Sequence, residues 1–335
     1  MRVLVTGAAG FIGSHFTRHW LSAHPSDEVV ALDALTYRGT RTNLPAGVPF
    51  VHADIAEVGA ATLDGVDVVV NFAAESHNSL AVLDPARFFR TNVLGTQALL
   101  ESCRRAGVKR FHHVSTCEVY GDLALDATEA FHEDSPYRPR TPYNASKAGA
   151  DHAVRSYFET FGLPVTITNC ANNYGPNQFP ENVLPLFTTR ALDGEQLPIY
   201  AARGNKREWI HVLDHCRAID AVLRDGEIGR TYHVGTGVEA SVDQIADLVL
   251  DELGLPRSRK TVVPDRPGHD RRYLLDSTRI GHELGWRPET GFEAGVRDTI
   301  RWYAANRAWW EPLRALSPVD ESAWATGPSA PRTPA

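Results

Sequence analysis

The first half of the chain alternates short apolar runs with longer stretches in which apolar residues recur at helical spacing. The runs RVLVTG, EVVALDAL, VDVVVNFAA and KRFHHVST are the kind buried on both faces of a parallel sheet. Between them, SHFTRHWLSAH and TNVLGTQALLESCRRAG read as helices, the second stopping at Gly107. Repeated strand–helix units with right-handed crossovers predict an α/β fold built on a Rossmann-type doubly wound parallel sheet. The second half is punctuated by Pro176, Pro180, Pro185 and Pro198, which suits loops closing over a ligand better than the core of a sheet. Within it, SVDQIADLVLDELG is an amphipathic helix capped by Ser241.

Composition narrows the class. The chain has 335 residues, enough for about two domains on a soft prior of ~150 residues each. At 43% hydrophobic and 22% charged it is neither disordered overall nor fibrous. No apolar run approaches the ~20 residues of a membrane helix. Glycines break the N-terminal run MRVLVTGAAGFIG where a signal peptide would continue. The formal net charge of −7, with scattered Lys and Arg, argues against a nucleic-acid surface. Cys103, Cys117, Cys170 and Cys216 show no CxxC spacing, so neither a disulfide framework nor a zinc ribbon is implied. A cytoplasmic enzyme is expected, with residues 317–335, rich in Pro, Ala, Ser and Thr, as a disordered tail.

Strand RVLVT leads into Gly7-Ala8-Ala9-Gly10-Phe11-Ile12-Gly13 and then a helix, the context a dinucleotide-binding loop requires. Gly7 permits the tight turn, Gly10 lets backbone N–H groups approach a pyrophosphate, and Gly13 allows close helix packing. Asp33, twenty residues beyond Gly13, is placed to bind a ribose 2′-hydroxyl and to repel a 2′-phosphate. NAD is therefore expected over NADP, although Arg38 and Arg41 follow in the same loop. Tyr143 and Lys147 stand at i and i+4, on one face of a helix. A tyrosine with pKa ~10 is a poor base unless a nearby ammonium stabilises its phenolate. With that help it takes the proton of a hydroxyl whose carbon gives up a hydride.

The spacing GxxGxxG, with the motifs that follow it, resembles an extended short-chain dehydrogenase/reductase. Within that superfamily the chain is most similar to the dTDP-glucose 4,6-dehydratases, from Met1 to about Trp310. The resemblance rests on Asp54-Ile55, Ala73-Ala74-Glu75-Ser76-His77, Thr91-Asn92-Val93, Ser115 to Gly121, Tyr143 to Lys147, Thr168 to Pro176 and Arg266 to Asp270. It implies an NAD-binding domain over 1–167, to which part of 205–240 returns, and a smaller, interleaved substrate-binding domain over 168–316. It implies that Gly7, Gly10, Phe11, Ile12, Gly13, Asp33, Asp54, Ile55, Ala73, Ala74, Asn92, Tyr143, Lys147 and Asn173 hold the cofactor. Ser76, Thr116 and Asn172 are then expected on the sugar, and Asn182, Pro198 and Tyr200 on the base. Arg207, Arg266 and Asp270 are expected on the diphosphate and ribose, since arginines neutralise a diphosphate by bidentate bonds. A homodimer through a helical bundle also follows from the resemblance.

The implied chemistry is oxidation at C4 of a nucleoside-diphosphate hexose, loss of water across C5–C6, and return of the hydride. Thr116, Cys117, Glu118, Tyr143 and Lys147 are the implied catalytic group. The resembled dehydratases use an adjacent Asp-Glu pair as acid and base; this chain keeps Glu118 and has Cys117 in place of the aspartate. Three readings of Cys117 stand open: general acid, steric spacer with water as the acid, or packing residue. Hydride return to C6 gives a 4-keto-6-deoxy sugar, and return to C4 gives a 5,6-ene. A 4-epimerase and a non-catalytic cofactor-binding protein are the competing readings. Two further departures place the sugar's identity in question. Asn78-Ser79-Leu80-Ala81 replaces a Val-Asp-Arg-Ser stretch, and His233 replaces an asparagine. His112 and His113, with no third ligand at suitable spacing, read as core or strand-face histidines, and no metal is expected.

Overall fold

The computed structural model describes residues 1–318. In the first half the four expected strands form as β1 (Arg2–Thr6), β2 (Glu28–Asp33), β4 (Val68–Asn71) and β5 (Arg110–Thr116), and a short unexpected strand, β3 (Phe50–His52), follows β2. Helices α1 (Phe11–Ala23), α2 (Asn78–Leu83), α3 (Pro85–Phe88), α4 (Thr96–Ala106) and α5 (Pro142–Phe161) lie between and after them. They are followed by β6 (Val165–Cys170), β7 (Asn172–Tyr174), α6 (Val183–Leu192), β8 (Leu197–Tyr200), β9 (Lys206–His211) and α7 (Val212–Asp225). The chain continues with β10 (Thr231–Val234), β11 (Glu239–Ser241), α8 (Val242–Glu252), β12 (Lys260–Val263), α9 (Thr278–Leu284), α10 (Phe292–Ala305) and α11 (Arg307–Arg314).

The main sheet is parallel throughout and seven-stranded, in the order β10-β6-β5-β4-β1-β2-β3. The order reverses between β1 and β4, so the crevice at their carboxyl ends is the place where such sheets bind ligands. Successive residues of each strand feed opposite cores. Leu4, Val30, Leu32 and Val69 join Leu99, Phe111 and Val154 on one side. Val3, Val5, Val29, Val68 and Val70 join Phe16, Trp20, Val212 and Ile219 on the other. This two-sided burial is why the strands read as unbroken apolar runs.

A smaller lobe is built on the three-stranded sheet β11-β9-β7 and the two-stranded sheet β12-β8. Its core is Leu184, Phe187, Trp209, Ile245, Val249, Val296 and Ile300. The proline-rich segment is more ordered than expected. Pro185 falls in the first turn of α6, where a missing N–H breaks no helical bond. Pro198 sits in β8, whose one partner is β12, so the other edge needs no donor. Helix α8 carries a full capping box, Ser241 and Gln244 each accepting from the other's backbone N–H. Gly107 closes α4 at φ +69°. Beyond position 318 the expected tail lies outside the described residues; Ser317 itself donates to Glu181 Oε2 at 2.6 Å. Among the described residues no helix is long and apolar enough to cross a membrane.

Candidate active site

Two adjoining cavities lie along the carboxyl edge of the main sheet. The first, about 330 Å³, is lined by Gly7, Gly10, Phe11, Ile12, Gly13, Asp33, Asp54, Ile55, Ala73, Ala74, Tyr143, Lys147 and Asn173, and by Thr116 and Glu118. Its floor is the glycine turn. Gly7 has φ +64°, and a Cβ there would come within 2.7 Å of the Ala73 backbone nitrogen. A Cβ on Gly13 would come within 2.3 Å of the Gly7 carbonyl oxygen. Gly10 caps α1 with no side-chain bond to its first N–H groups, leaving a helix N-terminus open toward the cavity. At the far end, Asp33 is held by N–H donors from Ala9 (2.9 Å) and Leu35 (2.8 Å). Burial raises its carboxyl above the usual range, against the pull of those donors. Arg38 is committed across the cleft to Glu181 and Ser76, and Arg41 stacks on Phe50. Arg38 lines the same cavity as Asp33, but its guanidinium is taken up by Glu181 and Ser76, and the acidic side chain beside the glycine turn fits NAD.

Asn92 departs from expectation. It is buried and lines neither cavity; its side chain accepts from the Glu75 N–H (2.8 Å) and donates to the Glu75 carbonyl (2.9 Å) and Ser146 (2.8 Å). It stands in a π-helical turn, Phe89–Gly95, which turns it under the Ala73–Glu75 loop. Asn92 thus shapes the cofactor wall from behind.

Tyr143 and Lys147 project from α5, and Thr116 ends β5. Tyr143 and Thr116 line the first cavity together, and the Thr116 hydroxyl acts to lower the Tyr143 phenol. Burial and then the Glu118 charge hold the Tyr143 phenol well above its ordinary range. Burial lowers the Lys147 ammonium, which donates to the Val114 carbonyl (2.8 Å) and lies 3.5 Å from His113 Nε2. His113 in turn lies 3.5 Å from Asp151, which also accepts from Ser115 and Tyr137. The histidine pair is therefore core polar structure, with His112 bonded to Thr166 and Thr168.

After Thr116 the chain enters a 3-10 turn, Cys117–Tyr120, started by the Thr116 hydroxyl accepting from the Glu118 N–H at 3.2 Å. Successive side chains on such a turn diverge by about 120°. Glu118 consequently lines both cavities, whereas Cys117 turns back into an apolar cluster with Val119, Tyr120, Ala148, Tyr273 and Leu275. The thiol is 1% exposed and lines neither cavity. Burial, then the Glu118 charge, push its pKa far up. Of the three readings of Cys117, this geometry favours a packing residue, although a raised pKa also keeps the thiol protonated. Burial also raises the Glu118 carboxyl, offset in part by a hydrogen bond from Asn78.

The second cavity, about 380 Å³, shares Glu118, Ser76, Asn172, Asn173, Gln178, Phe179 and Asn182 with the first. Pro198, Tyr200, Arg207 and Arg266 line it from the small lobe, with Phe187, Trp209 and His269 beside them. Asp270 does not line it. Asp270 is fully buried, bonded to Tyr273, Asn144 and Arg140, so it braces α5 against the small lobe and reaches no ligand space. His233 likewise lines neither cavity; it is buried in β10 and bonded to the Tyr120 hydroxyl at 2.7 Å, so it bears on packing. Sequence reasoning missed Asn78, Gln178, Phe179 and Glu181 as lining or supporting residues. The Gln-Phe-Pro-Glu run just before Asn182 was the signal available for three of them.

A family model described as GDP-mannose 4,6 dehydratase matches residues 4–299. The site and sheet thus define the class: the chain belongs to that family of NAD-dependent nucleotide-sugar dehydratases. Among its relatives, a dTDP-glucose 4,6-dehydratase of Streptomyces antibioticus is 47% identical, covering 94% of this chain and 96% of the relative. The structure of DesIV, a dTDP-glucose 4,6-dehydratase of Streptomyces venezuelae with NAD bound, superposes with a TM-score of 0.91 at 50% identity, covering 93% of this chain and all of that one. A Thermus thermophilus UDP-glucose 4-epimerase complexed with NAD gives 0.84 at 33% identity, covering 91% of this chain and all of that one.

Proposed function

We propose that this chain is a cytoplasmic NAD-dependent nucleoside-diphosphate-hexose 4,6-dehydratase, with dTDP-glucose as the first substrate to test. One observation carries the reading: a buried carboxyl, Glu118, lines both cavities beside Tyr143. An epimerase, which only removes and returns a C4 hydride, has no use for a base at that place. The cofactor lobe is residues 1–167 with α7 and β10 returning to it from 205–240; the substrate lobe is most of 168–316.

The residues that would hold the cofactor are the glycine turn, Asp33, Asp54, Ile55, Ala73, Ala74, Lys147 and Asn173. The chemistry bound NAD⁺ supplies is acceptance of a hydride from C4 and its later return. Tyr143, which shares the first cavity with Thr116 and stands one helical turn before Lys147, takes the C4 hydroxyl proton. A ketone at C4 makes the C5 proton acidic. Glu118 takes that proton and, now a carboxylic acid, passes it to the C6 oxygen, which leaves as water. C5 is reprotonated as C6 becomes a methyl group, balancing the proton taken from the C4 hydroxyl. Ser76 and Asn172 hold the sugar, Asn182, Pro198 and Tyr200 the base, and Arg207 and Arg266 the diphosphate. We also infer a homodimer, supported by the exposed apolar side chains of Leu83, Phe89, Leu94 and Phe161 on and near the helices flanking α4.

Incubation with dTDP-, UDP-, GDP- and CDP-hexoses, read by mass spectrometry and NMR, tests the reading. Loss of one water with a new C6 methyl signal is expected. Exocyclic alkene protons would place hydride return at C4 instead, and an isomer of unchanged mass would identify an epimerase. Glu118→Gln should lower kcat by about 10²–10⁴-fold, as for removal of a positioned base. Cys117→Ala should retain activity within about threefold, and a loss as large as that of Glu118→Gln would restore the thiol as the acid.

A further inference from the structure

Residue 78 lies in the stretch where the chain departs from the dehydratases it resembles, and both ends of its side-chain amide are engaged. Asn78 Nδ2 donates to Glu118 Oε2 at 3.0 Å. Asn78 Oδ1 accepts from the Thr141 hydroxyl at 3.0 Å. A carboxylate only accepts, so the amide orientation is set by Glu118 itself. Thr141 is the N-cap of α5, accepting from the Asn144 N–H at 3.2 Å, and α5 carries Tyr143 two residues further on. Three side chains therefore tie the turn holding the base, the start of α2 and the helix holding the tyrosine. Asn78 is the one side-chain hydrogen-bond donor to Glu118 among the described residues. Its bond occupies one oxygen and leaves the other for the proton that moves. The valine of the resembled stretch has no N–H to offer.

We propose that Asn78 is a positioning residue for the Glu118 base, fixing its carboxylate in the orientation that meets C5 and holding it in register with Tyr143. The inference rests on the dehydratase reading for its catalytic consequence, though not for the hydrogen bond itself. Glu118 is surrounded by groups whose charges also act on it. They are Tyr143 from α5, Arg207 from β9, Cys170 at the end of β6, neighbouring Cys117, and Arg266, Asp270 and Tyr273 from the segment after β12. Of these, only Tyr143 is linked to Asn78, through the Thr141 cap of α5, so a direct effect on Glu118 is read from its own carboxyl band. Loss of the amide donor removes a bond that favours the ionised carboxyl, so Glu118 should bind its proton more tightly.

The test compares wild type, Asn78→Val and Asn78→Gln. In Asn78→Val, kcat should fall about tenfold with KM nearly unchanged, and the acid limb of the kcat profile should move up by about one pH unit, the size of a lost hydrogen bond to a charged group. Asn78→Gln, which keeps a donor on a longer arm, should recover part of both effects. A second reading needs no substrate. In infrared pH titrations, the carboxylic C=O band that disappears in Glu118→Gln should persist to a pH about one unit higher in Asn78→Val than in wild type. A lower melting temperature with an unmoved acid limb and an unmoved band would overturn the proposal and leave Asn78 as a structural tie between α2 and α5. If wild type itself turned over no nucleotide sugar, the dehydratase reading would fall, and the infrared titration would still decide the role of Asn78.

Discussion

Gly13 and Gly107 are both glycines at the end of a helix, and they are required for opposite reasons. At Gly13 the limit is space, because a methyl group would meet the Gly7 carbonyl at 2.3 Å. At Gly107 the space is open and the limit is backbone, held at φ +69°. Gly13→Ala should therefore distort the cofactor turn, weakening NAD binding by about tenfold to a hundredfold in a fluorescence titration, the equivalent of about 1–3 kcal/mol of overpacking. Gly107→Ala should lower stability to urea by about 1 kcal/mol and leave kcat unchanged, since the strain stays at the end of α4. Both roles were legible from spacing alone. The direction of Cys117 was not, because adjacency in sequence says nothing about which of two neighbours a 3-10 turn sends into the cleft. Nor was the hydrogen bond of Asn78, which depends on Thr141 arriving from 63 residues away.

At the scale of elements, what the sequence discloses depends on how each element is buried. The strands of the main sheet are covered on both faces and read as apolar runs; α8 is amphipathic and reads by its period and cap. Strands β7, β8 and β11 are three or four residues long and carry prolines or polar side chains, too little pattern to call a strand. The same brevity hid the π turn that takes Asn92 out of the cofactor site. Its motif is a dependable signal that something is built there, although the side chain works one layer behind the ligand. Asn92→Ala should leave the Glu75 N–H and carbonyl without their buried partner, at a cost of about 1–3 kcal/mol in stability. The larger part of the effect on activity should then appear as weaker cofactor binding, measured by NAD titration, with the chemical step little altered once the enzyme is saturated.

The whole molecule is joined across its cleft at a point no motif announced. Arg38, in the loop after β2 on the cofactor side, pairs with Glu181, in the loop before α6 on the substrate side. Tyr37 and Ser317 donate to the same carboxylate, at 2.7 and 2.6 Å, and the Arg38 guanidinium also donates to Ser76 at 2.7 Å. Although burial acts to raise the Glu181 carboxyl, the Arg38 charge, His77 and the hydroxyl donors hold it below its ordinary value. A carboxyl depressed on folding contributes stability in full above its unfolded pKa of about 4 and loses it as the pH falls through the lower folded value. Glu181→Gln should therefore be less stable than wild type by about 1–3 kcal/mol at pH 7, because it leaves the arginine half-buried without its partner. The gap should narrow as the pH is lowered below about 4, where the wild-type carboxylate too takes up its proton. Urea unfolding at pH 7 and at pH 3 measures both values. A gap that stays constant across that range would mean that the charge of Glu181 does not hold the two sides of the cleft together, and that its shape and packing do.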